Sequence, residues 1–370
     1  MNTLSEDILN ALLEKTGYKK ISFRYEIISN KNVFLSEPTV KSCNVSYNTL
    51  AEIKRKASIV MLENHKINYN SDRLRAFFVL YYTDSRTKEE KTHEWTLGTF
   101  IMSSPTQSEE KGEIISSVEC YDYGYILQKG SLTEPFIIEK NQVFTNALQN
   151  LLSQLGFINF DIEASELSAN RDIFYPVGTS YAQIVSDILS NINYGSLFFD
   201  VYGVPKTSAY IPPASREVDF AYKTDKYSII NHGATLIKDT FSIPNVFIST
   251  STNTESEEIL TSVFVNDSAN SPVSTVTRGY AVVMNYEYQD ITNQDVLDSR
   301  NRRNAEQYSS IYEKMEFETA LMPFHSDSNT LFLEHKDFSI TGKYSETSWS
   351  MDLKADGRMK HGVRKAAELT

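Results

Sequence analysis

At 370 residues, with 41% hydrophobic and 23% charged side chains, the chain is too long for one ordinary core and too apolar for a disordered or low-complexity protein. Its 36 Lys and Arg against 48 Asp and Glu leave a net charge of −12, which excludes tight binding of nucleic acid by the bulk surface. Cys43 and Cys120 are the only cysteines, so a disulfide framework and a thiolate metal site of paired spacing are excluded, with a single cross-link left open.

The opening MNTLSEDILNALLEK carries acids where an export signal is basic, and places Leu4, Ile8, Leu9, Leu12 and Leu13 on one helical face. A short amphipathic helix is expected, capped by Ser5 and stopped by Gly17. No run of about 18 apolar residues occurs, so neither an export signal nor a membrane-spanning helix is expected, and synthesis and assembly belong in the cytoplasm. From Lys20 the pattern turns to strands: ISFRYEII and VFLSEPTV as a hairpin, SCNVSY, ASIVMLE, then RLRAFFVLYY and EWTLGTFIMSSP about a charged loop. Ile115 to Tyr121 and Tyr125 to Gln128 read as two further strands, completing a first barrel over residues 1–135.

Between 136 and 215 the period changes. VFTNALQNLLSQLG predicts a helix capped at Thr145 and stopped at Gly156; TSYAQIVSDILSNINYG predicts another, with Thr179 or Ser180 as cap and Gly195 as its end. Each precedes an apolar strand candidate, FINFDI and SLFFDVYG, which makes a small α+β domain closed by the linker YIPPASREV. Residues 216–370 return to strands around one very polar helix near Asn293–Tyr312, expected to lie across a barrel mouth or against a neighbour. The tail DLKADGRMKHGVRKAAEL reads as an arm docking across a protomer boundary. The fold class is therefore α+β and β-rich, with two related β-barrels flanking the small α+β domain.

Chemistry finds little purchase. No G-x-S-x-G nucleophile turn and no phosphate-binding glycine loop occurs, and the G-T-S at Gly178 to Ser180 reads as a helix start. The densest metal candidate is His325, Asp327, Glu334 and His335, without the spacing that sets two imidazoles on one helical face; a polar turn with solvated histidines is the reading preferred there. No catalytic, cofactor-binding or metal residue is assigned. A rival reading is a cell-wall hydrolase built on His325 to His335 or on paired carboxylates, and another a carbohydrate-binding module using exposed tyrosines. Gly98 within a strand marks a bend or a close backbone approach, and Trp95 and Trp349 are expected to anchor cores.

A set of phrases runs through this order of units: NVSYNTLAEIKRKASIVM (44–61), INYNSDRLRAFFVLY (67–81), EWTLGTFIMSSP (94–105), VECYDYGYIL (118–127), ILSNINYGSLFFDVYG (188–203), IPNVFIST (243–250), SPVSTVTRGY (271–280) and SWSMDLKADGRMKH (348–361). Together they resemble the tail-hub family of long-tailed bacteriophages, the baseplate-hub or tail-associated minor tail proteins of phages and prophages of Gram-positive hosts. That resemblance implies a structural virion protein, without enzymatic activity or cofactor. It implies a homotrimeric ring adapting a sixfold tail tube to a threefold tail tip and surrounding the channel for DNA, which passes without specific binding. The implied partners are other copies of the chain, the distal tail protein or tube, the tape-measure protein and the spike or receptor-binding components, without a membrane anchor. Many relatives continue into a wall-cleaving or receptor-contacting region, whereas this sequence stops at Thr370, so those tasks are expected of other proteins. The resemblance marks Gly98, Phe100, Asn193, Tyr194, Pro244, Asn245, Pro272, Trp349 and Met359 as fold and assembly positions. Arg302, Arg303, Arg358 and Arg364 stand as candidate contacts between subunits.

Overall fold

The computed structural model describes residues 6–13, 19–63, 67–84, 87–226, 228–252, 259–289, 291, 293–309 and 312–366. Strands hold 45% and helices 17% of it, so the chain is β-rich α+β. The first helix, Glu6–Leu13, buries Ile8, Ala11 and Leu12; its expected cap Ser5 and stop Gly17 lie outside the described residues.

The two β regions are not separate barrels, and none of the sheets closes into one. They share one sheet. Its path runs Phe34–Ser36, Lys19–Ile28, Arg73–Thr83, Glu90–Met102, Glu113–Tyr121, Arg55–Leu62, Val40–Asn48, and then crosses to Ile340–Asp352, Arg358–Lys365, Glu313–Ala320 and Thr235–Lys238. Strand Arg73–Thr83 is central, and its RLRAFFVLY core buries every residue from Ala76 to Leu80, as a strand covered on both faces must. The crossing pairs Ser348 with Asn48 and Asp352 with Asn44, and sets Trp349 directly opposite Tyr47, their rings stacked 5.7 Å apart.

One strand serves two cores because its register slips. Opposite Arg358–Lys365, Glu346 faces Val363 and Ser348 faces Gly362, leaving Thr347 as an extra residue. A bulge reverses which side chains point inward. Before it, Ile340 and Tyr344 pack with Tyr222, Phe317 and Leu331; after it, Trp349 and Met351 join the first core with Val45, Ile59 and Phe100.

Tyr125–Gln128 is a helical turn within Gly124–Lys129 rather than a strand, because the Asp122 carboxylate accepts the Gly124 amide at 2.9 Å and its carbonyl accepts Tyr125 N–H. A separate core then spans Leu127 to Phe199 around helices Phe144–Gln154 and Tyr181–Asn191. Thr145 is no cap: it is buried one residue inside its helix, whose cap position is Val143. Ser180 does cap, accepting the Gln183 amide at 3.2 Å, and Gly156 takes φ of +89° just after helix Phe144–Gln154, a conformation glycine enters without a Cβ penalty.

The polar helix Gln294–Ser309 lies on a three-stranded sheet of its own chain, ordered Ile259–Val265, Val246–Thr252, Val283–Gln289. The tail is likewise no free arm: Arg358–Lys365 is an inner strand bonded on both sides.

Candidate functional site

The helix–sheet unit is inverted with respect to ordinary amphipathic packing. Its inner face is polar: fully buried Asn301 donates to Phe247 O at 3.0 Å and Ser262 O at 3.1 Å, while its Oδ1 accepts the Ser249 hydroxyl at 2.8 Å. Fully buried apolar side chains of the helix and the strand beneath it are few: Phe247, Leu297 and Ala305. The outer face carries Ile259, Val263, Val265 and Val283, each about half exposed or more. Asn245 anchors the unit's entrance, its side chain donating to Val273 O and Tyr280 O and accepting the Val282 amide. Pro244 is buried beside it and Pro272 is exposed.

Arg303 points into the chain. Its guanidinium donates to Tyr194 O at 2.5 Å and Asn193 Oδ1 at 3.4 Å and lies 4.3 Å over the Tyr210 ring. Burial, and then the neighbouring Arg300 charge, bring its pKa down to about 10. Asn193 adopts a left-handed φ of +51°, which asparagine tolerates better than most residues, and this places its side chain under the arginine. Arg303 thus meets Asn193, Tyr194 and Tyr210, binding the polar helix to the middle unit. Arg302 is 53% exposed beside Glu306, and Arg358 is 60% exposed at 3.1 Å from Glu318. Arg364 is half-buried and shares a cavity of about 570 Å³ with Arg216 and Arg303 at the meeting of both β regions, the middle unit and the polar helix.

In the first region Gly98 sits at a bulge, Phe100 is fully buried, and Cys43 and Cys120 are free thiols in the same core. Trp349 Nε1 donates to Ser326 O at 3.3 Å, and Met359 is fully buried.

The quartet His325, Asp327, Glu334 and His335 is not brought together, and neither His325 nor His335 is solvated: they are 4% and 6% exposed. Asp327 accepts the Tyr47 hydroxyl at 2.8 Å, and His335 lies against Phe338. His325 instead meets residues 21 and 36 positions further along the chain. Glu346, inward because it precedes the bulge, places Oε2 2.6 Å from His325 Nδ1 and Oε1 2.7 Å from His361 Nδ1. The outer nitrogens are held too, His325 Nε2 at 2.8 Å from the Tyr222 hydroxyl and His361 Nε2 at 2.9 Å from Thr319 Oγ1. Burial opposes the Glu346 charge, but His325 and then His361 outweigh it and hold the carboxyl below its ordinary range. Burial pushes the His361 imidazole down, against the pull of Glu346. At neutral pH the centre is an ionised carboxylate with a neutral His361. Its members lie in a loop and two polar-rich strands, 15 and 21 residues apart, so no local spacing or contrast with an apolar surrounding signals it.

No family model and no curated protein matches the chain. Solved structures do. It is similar to the tail protein from Neisseria meningitidis MC58, with a TM-score of 0.66 and 10% identity over 93% of this chain and 97% of that one. It is similar to the 43 kDa tail protein of prophage MuSo2 from Shewanella oneidensis, with a TM-score of 0.64 and 9% identity over 92% and 98%. Prophage tail protein gp18 from Listeria monocytogenes follows at 0.52 and 10%, over 92% and 94%. At such identities the shared property is the fold: this chain has the fold of phage and prophage tail proteins.

Proposed function

We propose that the chain is a structural component of a phage or prophage tail, the hub on which the tail tip is assembled. The observation that carries this reading is the end-to-end likeness to tail proteins, which covers at least 92% of this chain and 97% of the Neisseria and Shewanella proteins. In this reading three copies close a ring, the two β regions of each protomer line its circumference, and the distal tail protein or tube, the tape-measure protein and the spike dock on its faces. DNA passes through the ring without specific binding, in keeping with a net charge of −12. The work of the subunit is mechanical and the protein belongs at the virion tail tip. The exposed apolar outer face of the 246–289 sheet and the exposed Arg302 and Arg358 are surfaces that assembly would cover.

The test is the solution mass across a concentration series, followed by imaging of purified tails. A species near three times 42.2 kDa supports the ring. A monomer throughout, together with tails that lack this chain at the distal end, refutes the hub assignment.

A further inference from the structure

We propose that His325, Glu346 and His361 form a binding site for one divalent d-block cation of the zinc class, in the core of the second β region. The inference is independent of the tail-hub reading. Its ground is the donor set: two imidazole nitrogens and a carboxylate, drawn together from a loop and two strands, with ligand atoms all within 4.8 Å of one another.

The surroundings match what such an ion requires. The carboxylate is buried, and each of its two oxygens faces one imidazole nitrogen, so the three donor groups already converge on one point. Each imidazole is oriented from behind by a hydroxyl, Tyr222 for His325 and Thr319 for His361, the arrangement that presents Nδ1 inward. Phe324 stacks on His325 and Phe317 on His361, fixing the ring planes. With the ion bound, each imidazole proton sits on Nε2 and is donated to its hydroxyl, while the Nδ1 lone pairs face the cation; Thr319 in turn has the Ala320 carbonyl at 2.7 Å to accept its own proton.

Metal–ligand distances of about 2.0–2.2 Å in a tetrahedron set neighbouring ligand atoms roughly 3.4 Å apart. The nitrogen–oxygen separations of 2.6 and 2.7 Å therefore open by less than about 1 Å, through rotation of the Glu346 carboxylate, whose terminal torsion is soft. The second carboxylate oxygen or a water completes the tetrahedron. His361 also borders a cavity of about 540 Å³ lined by Tyr47, Trp349, Phe317 and Lys360, which supplies a route inward.

The full chain is purified from cells grown with added zinc and its metal content measured; after chelation it is titrated with cobalt(II), whose visible absorption reports tetrahedral coordination. One equivalent of zinc, and a cobalt band saturating at one equivalent, are expected. Glu346→Gln retains the size and both hydrogen-bonding positions but removes the anionic ligand, and is expected to weaken cobalt binding at least tenfold with the circular dichroism spectrum unchanged. Wild-type protein that neither retains zinc nor develops the cobalt band overturns the proposal and leaves the centre a protonic network. Equal cobalt binding by folded Glu346→Gln overturns it as well. Should that variant fail to fold, the wild-type cobalt titration decides by itself.

Discussion

Replacing Gly98 with alanine probes the crossing point of the first core without a conformational complication, since its backbone is not in the left-handed region. A Cβ there would stand 2.5 Å from Phe100 Cζ and 2.8 Å from Arg55 Cδ. Neither neighbour has room to yield. Phe100 is fully buried, and Arg55 is a buried cation held by its Nη1 bond to Leu97 O at 2.6 Å, its amide bond to Asp122 at 2.7 Å and the faces of Tyr47 and Trp349. Overpacking of this kind costs about 1–3 kcal/mol, and displacing Arg55 from its carbonyl adds about 1.5–3 kcal/mol for a lost bond to a charged group. The smaller conformational entropy of an unfolded alanine returns only about 0.4–1 kcal/mol. We expect a net loss of about 2–4 kcal/mol, read by urea denaturation. Trp349 is buried in this core and Trp95 packs against it, so tryptophan fluorescence follows its unfolding. In a Phe100→Leu background the penalty should shrink by about 1 kcal/mol, since contacting residues couple. A Gly98→Ala variant within about 0.5 kcal/mol of wild type, or strict additivity with Phe100→Leu, would refute the close-approach explanation.

Asn301→Ala strands the carbonyls of Phe247 and Ser262 inside a unit with almost no apolar core, at an expected cost of about 3 kcal/mol; hydrogen exchange across Val246–Thr252 should accelerate while the first region is unaffected, and uniform protection would count against it. Arg303→Ala should cost about 2–3 kcal/mol through its lost carbonyl bond and ring contact, whereas exposed Arg302→Ala should stay within about 0.5 kcal/mol; thermal melts giving equal shifts would contradict the placement of the two side chains. Val263→Lys on the outer sheet face should leave the melting of the isolated chain unchanged yet reduce its recovery in assembled tails, and full incorporation would remove that face from the assembly.

Local signals were legible wherever the physics is local. The Lys19–Ser36 hairpin, the Ser180 cap, the Gly156 stop and the apolar stripes of both middle helices follow from period, capping chemistry and glycine's freedom, all contained within a few residues. Where two local readings compete, the outcome turned on a neighbour: Tyr125–Gln128 has strand-like composition, but Asp122 closes a turn before it and starts a helix. The β-rich α+β class and the resemblance to tail proteins were likewise legible in the chain. Tertiary structure alone decided that the two β regions share one sheet, because strand pairing between Asn48 and Ser348 joins segments 300 residues apart and nothing in either names the other. It alone placed Thr347 at a bulge, and so decided that Glu346 enters one core and Trp349 the other. The His325–Glu346–His361 centre depends on both decisions: each member sits among other polar residues, so nothing local marks it for burial, and the partners that offset the cost of burying it are chosen by register.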